Sequence, residues 1–261
     1  MKYIALLIVI YLGFGGYLYL KQRNFIYFPV RADTSSEDEE IFENEGEKIK
    51  VSVVNRGSRK AIIYFGGNAE NVDYNIDAFK AVFRKHTSYL VKYRGYGGST
   101  GTPSEQGIYS DAMHIFDKLS DEYGEISVIG RSLGSAVAIY IAAKRDVHRL
   151  ALITPFDSIK SVAQSQFPFY PVSLLIKDEY DSLARAKDID TETMIIAAGN
   201  DNIIDISHAR QLAEGFTKGV DFHIIEHADH NDISDFAEYY QTLSDFIQQP
   251  GETGEQRPYQ P

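Results

Sequence analysis

The chain has 261 residues, no cysteine and a formal net charge of −11, and 44% of its residues are hydrophobic. This length and composition suit one α/β domain with a sizeable core. A nucleic-acid partner is excluded, because the excess negative charge repels a phosphate backbone and no Lys/Arg cluster offsets it. The absence of cysteine also excludes disulfides and thiolate zinc sites.

The N-terminal segment at residues 3–20 has 18 residues without a charge, flanked by Lys2 and by Lys21 and Arg23. Its length and flanks are typical of a membrane span. We therefore predict that residues 1–23 form an uncleaved transmembrane anchor that binds the chain to a membrane. The short N-terminus favours a globular part on the non-cytoplasmic side. A cleaved signal peptide, giving a secreted or periplasmic protein, and a buried soluble helix are the alternatives.

Apolar runs of strand length alternate with segments of helical spacing after the anchor. We predict strands at residues 48–53, 60–65, 88–93, 149–154, 193–198 and 219–226 and in the run that ends at Gly130, and helices at residues 72–86, 105–119, 135–144 and 233–248. This alternation predicts the α/β class, with a mainly parallel twisted sheet and helices on both faces. Ligands of such sheets bind beyond the carboxyl ends of the strands.

The domain is predicted to cover residues 24–249. Within it, residues 155–190 interrupt the alternation with three prolines and a cluster of Phe and Tyr, so we expect a short cap segment over the site. Residues 34–47 are acidic and indicate a loop or an edge hairpin. Residues 250–261 contain Gly and Pro but no apolar run, which predicts a disordered tail.

Gly130, Ser132 and Gly134 form a G-x-S-x-G motif between an apolar run and a stretch of small residues. Two glycines permit a sharp strand-to-helix turn, which exposes the serine Oγ and places the Leu133 N–H beside it at a helix N-terminus. The motif alone also fits an ordinary turn with a capping serine. A glycine turn after residues 60–65 could supply a second backbone N–H for an oxyanion hole.

Asp201 and His230 each follow directly after a predicted strand. A serine hydroxyl becomes nucleophilic when an imidazole takes its proton, and the imidazole needs a carboxylate on its other nitrogen. The order Ser, Asp, His is that of the α/β-hydrolases. We therefore predict a catalytic triad of Ser132, Asp201 and His230.

Other residues compete for these roles. His227 lies three positions before His230 and is an alternative base. Asp205 and Asp157 are alternatives to Asp201, and we interpret both as helix caps.

A metal site or a nucleotide site is a further alternative. His227 and His230 with Asp229 or Asp232 could bind a metal, but H-E-x-x-H is absent. The glycine-rich loop at residues 94–105 lacks both the G-K-[ST] ending and the G-x-G-x-x-G spacing of nucleotide-binding loops. We therefore predict neither a metal nor a nucleotide cofactor.

Five stretches together resemble one family: FGGNAEN, YRGYGGSTGTPSEQGIYSDA, GRSLGS, DNIIDISHA and HNDI. They are similar to the α/β-hydrolase superfamily, specifically its membrane-anchored group, which includes palmitoyl-protein thioesterases of the α/β-hydrolase-domain type and bacterial relatives. The resemblance covers about residues 25–248. One departure is that relatives usually carry His-Gly-Asn where this chain has Gly66, Gly67 and Asn68.

The resemblance implies hydrolysis of a carboxylic ester or acyl thioester of a small-molecule or acylated substrate, through an acyl-enzyme and without a cofactor. Ser132 would attack, His230 would transfer the proton and Asp201 would orient the imidazole. The N–H groups of Asn68 and Leu133 would then form the oxyanion hole.

Two other functions stay open. Peptide hydrolysis of the serine aminopeptidase type also occurs among relatives, and Asp178, Glu179 and Asp181 could hold a substrate amine, although we interpret them as solvated acids. The other function is a catalytically silent, membrane-tethered binding domain.

Overall fold

A computed structural model describes residues 2–31 and 38–249. The tail predicted at residues 250–261 lies outside these ranges. The elements in chain order are α1 (Lys2–Ile26), β1 (Glu39–Asn44), β2 (Glu47–Val54), β3 (Lys60–Phe65), α2 (Ile76–Val82), β4 (Thr87–Val91), α3 (Glu105–Ser120), β5 (Glu125–Arg131), α4 (Leu133–Ala142), β6 (Leu150–Ile153), α5 (Ile159–Gln166), α6 (Val172–Leu175), α7 (Ser182–Ala186), β7 (Thr193–Ala198), α8 (Ile206–Glu214), β8 (Asp221–Ile225) and α9 (Ala237–Gln248).

The strands form one eight-stranded sheet in the order β1-β2-β4-β3-β5-β6-β7-β8. The first two strands make the edge hairpin expected in the acidic region, and β2 pairs antiparallel with β4. Every later pairing, from β4 to β8, is parallel. The predicted α/β class with a mainly parallel sheet is therefore confirmed, and the carboxyl ends of the parallel strands share one edge.

Helices cover both faces of the sheet because side chains alternate along the strands. In β3, Ile63 and Phe65 join the apolar cluster under α3, α4 and α8. Their neighbours Ile62 and Tyr64 join a second cluster under α2 and α9. The central strands β3, β4, β6 and β7 are thus buried on both sides, which explains their nearly continuous apolar runs.

The helix predicted at residues 72–86 is shorter in the structure. It consists of a 3₁₀ turn at Val72–Asn75 followed by α2, which ends at Val82. The Asn55 side chain, from the loop after β2, donates its amide hydrogens to the carbonyl oxygens of Phe79 and Phe83 at 3.4 and 3.2 Å. A distant residue therefore satisfies the carbonyls at the end of the helix.

The 25-residue helix α1 is long and apolar enough to cross a membrane, with a mean hydropathy of 1.9 in its most apolar window. None of that window is buried. The segment after α1 docks on the domain: Tyr27 is buried, and its hydroxyl shares a hydrogen bond of 3.0 Å with that of Tyr180. The Gly97 N–H donates to the Val30 carbonyl at 2.9 Å.

Residues 155–190 interrupt the sheet, as expected, with the short helices α5, α6 and α7 between β6 and β7. The first two of these helices pack against α1. The Tyr11 hydroxyl donates to the Phe169 carbonyl at 2.7 Å, and the Tyr11 and Tyr170 rings stack with centroids 4.6 Å apart. We call residues 155–190 the cap.

Candidate active site

Ser132 occupies the turn between β5 and α4 with φ 50° and ψ −114°. A side chain other than glycine rarely adopts positive φ, so this turn holds local strain. The Ser132 N–H donates to the Ile153 carbonyl of β6 at 2.8 Å, which fixes the turn at the carboxyl edge of the sheet.

The two glycines of the motif permit this turn. A Cβ added at Gly130 would overlap the backbone of Gly134, and one added at Gly134 would overlap the Phe65 carbonyl at the end of β3. Both positions therefore need a residue without a side chain. As a result, α4 begins directly against the end of β3, and Ser132 lies in the turn between β5 and α4.

Three side chains meet at this edge. His230 Nε2 lies 2.9 Å from Ser132 Oγ, and His230 Nδ1 lies 2.7 Å from Asp201 Oδ2. The other Asp201 oxygen accepts the N–H groups of Ile203 and Ile204 at 3.0 and 2.8 Å. With both oxygens bonded, the carboxylate is fixed in the orientation that favours the His230 tautomer with its proton on Nδ1.

The glycine loop after β3 lies beside the serine. A Cβ at Gly67 would stand 3.6 Å from Ser132 Cβ. The Gly67 N–H itself donates to Glu70 Oε2 at 2.6 Å. In the described part of the chain, the N–H groups of Asn68 and Leu133 donate no hydrogen bond, so both are available to an acceptor near Ser132.

Comparisons with known proteins agree with this architecture, although no protein-family model matches the chain. An uncharacterized protein of Mycobacterium tuberculosis is 28% identical over 245 residues, which cover 88% of this chain and 87% of that protein. An alpha/beta hydrolase domain-containing protein of Caenorhabditis elegans is 31% identical over 163 residues, 61% of this chain and 48% of that protein. An esterase of Pyrococcus furiosus has a TM-score of 0.69 at 16% identity, covering 85% of this chain and 97% of the esterase. The chain therefore has the α/β-hydrolase fold.

The residues that competed for the triad roles lie outside this group of three side chains. His227 is exposed. Asp205 caps α8 as expected, because its Oδ1 accepts the Ser207 N–H at 2.9 Å. The interpretation of Asp157 as a cap is wrong: Ser158 caps α5, and Asp157 instead contacts His208.

Glu70 and Arg131 are two residues beside the candidate site that the sequence patterns do not single out. Glu70 Oε1 accepts the Tyr64 hydroxyl and the Asn75 amide at 2.6 and 2.7 Å, while its Oε2 accepts the Gly67 N–H and lies 3.6 Å from Arg131 Nη1. Burial lowers the pKa of Arg131, but the Glu70 carboxylate together with Tyr64 and Tyr239 outweighs the burial, so the pKa is raised.

Arg131 continues this network toward the histidine. Its Nη2 donates to the carbonyls of His230 and Asn231 at 3.1 and 3.2 Å. Glu70 and Arg131 therefore link the glycine loop to the histidine turn. The sequence gives only a weak signal for these two residues, because Arg131 occupies a variable position of G-x-S-x-G and Glu70 is one acid in a polar turn.

The Asn68 side chain ties the glycine loop to the segment that follows α1. Its Nδ2 donates to the Ile26 carbonyl at 2.6 Å, and its Oδ1 accepts the Phe28 N–H at 3.0 Å and the Tyr96 hydroxyl at 2.9 Å. The sequence showed only an aromatic stretch after an apolar helix. Its contact with the candidate oxyanion loop was not foreseen.

Of the three acids considered for a substrate amine, Asp178 is not solvated, contrary to our expectation, whereas Glu179 and Asp181 are partly exposed. Asp178 is buried and binds the Arg23 guanidinium through two bonds of 2.7 and 3.2 Å. Glu179 and Asp181 both lie near Lys160 Nζ, at 3.1 and 3.7 Å. Each acid therefore has a cation of this chain as its partner.

Proposed function

We propose that the chain is a serine hydrolase that cleaves carboxylic ester or acyl-thioester bonds through an acyl-enzyme. The observation that carries the proposal is the pair of distances at His230, 2.9 Å to Ser132 Oγ and 2.7 Å to Asp201 Oδ2. The same side chains recur, in the same chain order, in hydrolases that use a nucleophile elbow. The likeness to an esterase fold and to an alpha/beta hydrolase domain-containing protein supports it.

The reaction follows from these positions. Ser132 Oγ attacks the acyl carbon while His230 Nε2 takes its proton, and the negative carbonyl oxygen accepts the N–H groups of Asn68 and Leu133. When this tetrahedral intermediate collapses, the bond to the alcohol or thiol breaks, and the alcohol or thiol leaves with the proton from His230. Water then loses a proton to His230 and attacks the acyl-enzyme; when the acyl–Oγ bond breaks, His230 returns the proton to Ser132 Oγ and the carboxylic acid leaves. Asp201 stays ionised and stabilises the imidazolium.

Fluorophosphonate labelling and turnover of p-nitrophenyl butyrate test this function. Ser132→Ala is expected to abolish labelling and to lower kcat by at least about 10³-fold. Ser120→Ala, at the exposed end of α3, is the matched control and should label and turn over like the wild type. Labelling of the Ser132→Ala protein at the wild-type rate would contradict the proposal. Absence of labelling in the wild type would favour the silent binding domain.

The aminopeptidase alternative has less support, because the acids considered for an amine are neutralised by Arg23 and Lys160. A free amine would have to displace the half-exposed Arg23 from the buried Asp178 carboxylate before it could bind there. Hydrolysis of an aminoacyl anilide at a rate comparable to that of the ester would favour the aminopeptidase function over the esterase function.

We also propose that α1 is retained as a membrane anchor, with the hydrolase domain on the non-cytoplasmic side. The proposal is supported by the continuity of α1 with residues that dock on the domain, since Arg23 pairs with Asp178 and Tyr27 with Tyr180. Mass spectrometry of the membrane fraction should find the intact N-terminus. Protease protection of the domain in spheroplasts would contradict the orientation, and a mature chain that starts after Gly15 would contradict retention.

A further inference from the structure

The Asn68 side chain binds the end of α1 through a main-chain atom. The residue before a proline is disfavoured in a helix, and α1 accordingly ends at Ile26, three positions before Pro29. The carbonyls of the last helical turn have no partner within the helix. Asn68 Nδ2 donates to the last of them, that of Ile26, at 2.6 Å. The glycine loop after β3 is thereby attached to the point where α1 ends.

Asn68 Oδ1 makes the complementary contacts. It accepts the Phe28 N–H at 3.0 Å, the Tyr96 hydroxyl at 2.9 Å and the Ala69 N–H at 3.1 Å. The Phe28 N–H is also 3.0 Å from the Tyr96 oxygen. Burial raises the pKa of Tyr96, so its hydroxyl keeps the proton that it donates to Oδ1. With hydrogen bonds at both ends of its amide, the Asn68 side chain is fixed in one orientation.

The main chain of the glycine loop depends on such support. Ala69 has φ 60°, a conformation that a residue other than glycine keeps only where its surroundings impose it. Glu70 holds the Gly67 N–H at 2.6 Å. Asn68 lies between Gly67 and Ala69, and two of its three long-range bonds end at residues 26–28. The direction of the Asn68 N–H therefore depends on residues 26–28 as well as on the domain.

Residues 26–30, which we call the docking segment, have two further attachments to the domain. The Tyr27 hydroxyl shares a hydrogen bond of 3.0 Å with that of Tyr180, and both side chains are buried. The Gly97 N–H donates to the Val30 carbonyl at 2.9 Å. Because these contacts do not involve Asn68, the docking segment stays attached when the asparagine side chain is removed. A variant of Asn68 therefore tests one connection alone.

We propose that the docking segment is a positioning element of the active site: through the Asn68 side chain, its main chain directs the Asn68 N–H into the oxyanion hole. This inference rests on the proposed hydrolase function and adds a condition to it, since turnover then requires the end of α1 to be docked. Release of residues 26–28 from the glycine loop would lower turnover even in a chain that stays folded. In the competing explanation the same hydrogen bonds only stabilise the fold.

The first test uses the full chain in phosphatidylcholine nanodiscs. Asn68→Ala keeps the backbone N–H and removes its support. Loss of an oxyanion donor costs about 10²–10³ in kcat, so a misdirected donor should lower kcat for p-nitrophenyl butyrate by about 10–100-fold, with KM within about twofold. A kcat within twofold of the wild type would overturn the inference.

Asn55→Ala is the matched control for this measurement. Asn55 also donates to carbonyls at the end of a helix, those of Phe79 and Phe83, but it follows β2 at the opposite edge of the sheet from Ser132. The variant should unfold at lower urea concentration and keep kcat within about twofold of the wild type. An equal fall of kcat in Asn55→Ala and Asn68→Ala would mean that lost stability explains both, and would overturn the positioning role.

Inhibition by butylboronic acid separates positioning from stability. Its adduct with Ser132 is tetrahedral and negatively charged, like the state that an oxyanion hole stabilises. The inhibition constant should rise by about 10–100-fold in Asn68→Ala and change by less than about twofold in Asn55→Ala. An unchanged constant in Asn68→Ala would show that the hydrogen bonds serve only the fold.

Phe28→Pro tests the docking segment itself, because proline lacks the N–H that Asn68 Oδ1 accepts. We expect kcat to fall by about 5–50-fold, and the double variant with Asn68→Ala to have the kcat of Asn68→Ala alone. Effects that multiply in the double variant would mean that the segment acts by another route, and would overturn the inference. A wild-type chain that neither reacts with fluorophosphonate nor hydrolyses the butyrate ester would refute the proposed function, whereas a wild-type kcat in Asn68→Ala refutes this inference alone.

Discussion

Replacing Glu70 by glutamine tests whether this one carboxylate fixes the position of the glycine loop relative to the histidine turn. The carboxylate accepts the Gly67 N–H at 2.6 Å and faces Arg131 at 3.6 Å. A glutamine keeps one oxygen, so it either turns its NH₂ group toward the Gly67 N–H or loses the Tyr64 and Asn75 donors. A hydrogen bond to a charged group contributes about 1.5–3 kcal/mol, and Arg131 also loses its buried counter-charge. We expect the free energy of unfolding to fall by about 2–4 kcal/mol.

The same change should lower turnover. If the glycine loop moves, the Asn68 N–H no longer points to the carbonyl oxygen near Ser132, and removal of one oxyanion donor costs about 10²–10³ in kcat. Since the loop is displaced and not removed, we expect a fall of about 10–100-fold with p-nitrophenyl butyrate.

Glu125→Gln is the matched control for both measurements. Glu125 lies at the start of β5, the opposite end of that strand from Ser132, and pairs with Lys60 at 2.6 Å on a half-exposed surface. Urea unfolding of this variant should change by less than about 1 kcal/mol, with kcat within about twofold of the wild type. A Glu70→Gln protein that loses stability but keeps wild-type kcat would refute the positioning role.

Three further outcomes are expected. Gly134→Ala should lower the free energy of unfolding, measured in urea, by about 3 kcal/mol, because the added methyl overlaps the β3 backbone. In the control Gly124→Ala the added methyl meets no atom within 4 Å, so the free energy of unfolding should change by less than about 0.5 kcal/mol. Burial, with a lysine nearby, lowers the pKa of His86 to about 4. Between about pH 6.5 and 4 the unfolded chain therefore binds a proton that the folded chain does not, and the free energy of unfolding should fall by about 1–2 kcal/mol as the pH falls through that range. In a His86→Phe protein the free energy of unfolding should depend less on pH. A chain that begins at Arg31 should unfold at lower urea concentration than one that begins at Lys21, because it leaves Asp178 buried without its cation; equal midpoints would contradict this.

The sequence is sufficient to predict the parts of the site that depend on local geometry. A serine between two glycines after an apolar run fits a strand-to-helix turn, and residues that follow parallel strands share one edge of the sheet. This is why Ser132 and His230, 98 positions apart, and His230 and Asp201, 29 positions apart, could be named together before their distances were known.

Contacts between distant segments could not be predicted in this way. Nothing in the pattern around Arg23 identifies Asp178, 155 positions away, as its partner. Asp157 illustrates the same difficulty locally, because aspartate and serine are comparable helix caps and the preference between Asp157 and Ser158 is decided by a histidine on α8. Pairings of this kind depend on how the sheet brings loops together, which periodicity does not encode.

The last turns of α1 and the residues directly after it therefore have a larger part in the site than an anchor requires. Arg23 attaches it to the cap through Asp178, while Ile26 and Phe28 attach it to the glycine loop through Asn68. Two attachments on different elements fix both the position of α1 and its rotation, so the stripe of α1 that faces the cap cannot turn away without breaking one of them. A tether that only retained the domain at a membrane would need neither attachment. If α1 is the membrane anchor proposed above, these two attachments hold the candidate active site at a constant orientation to the bilayer.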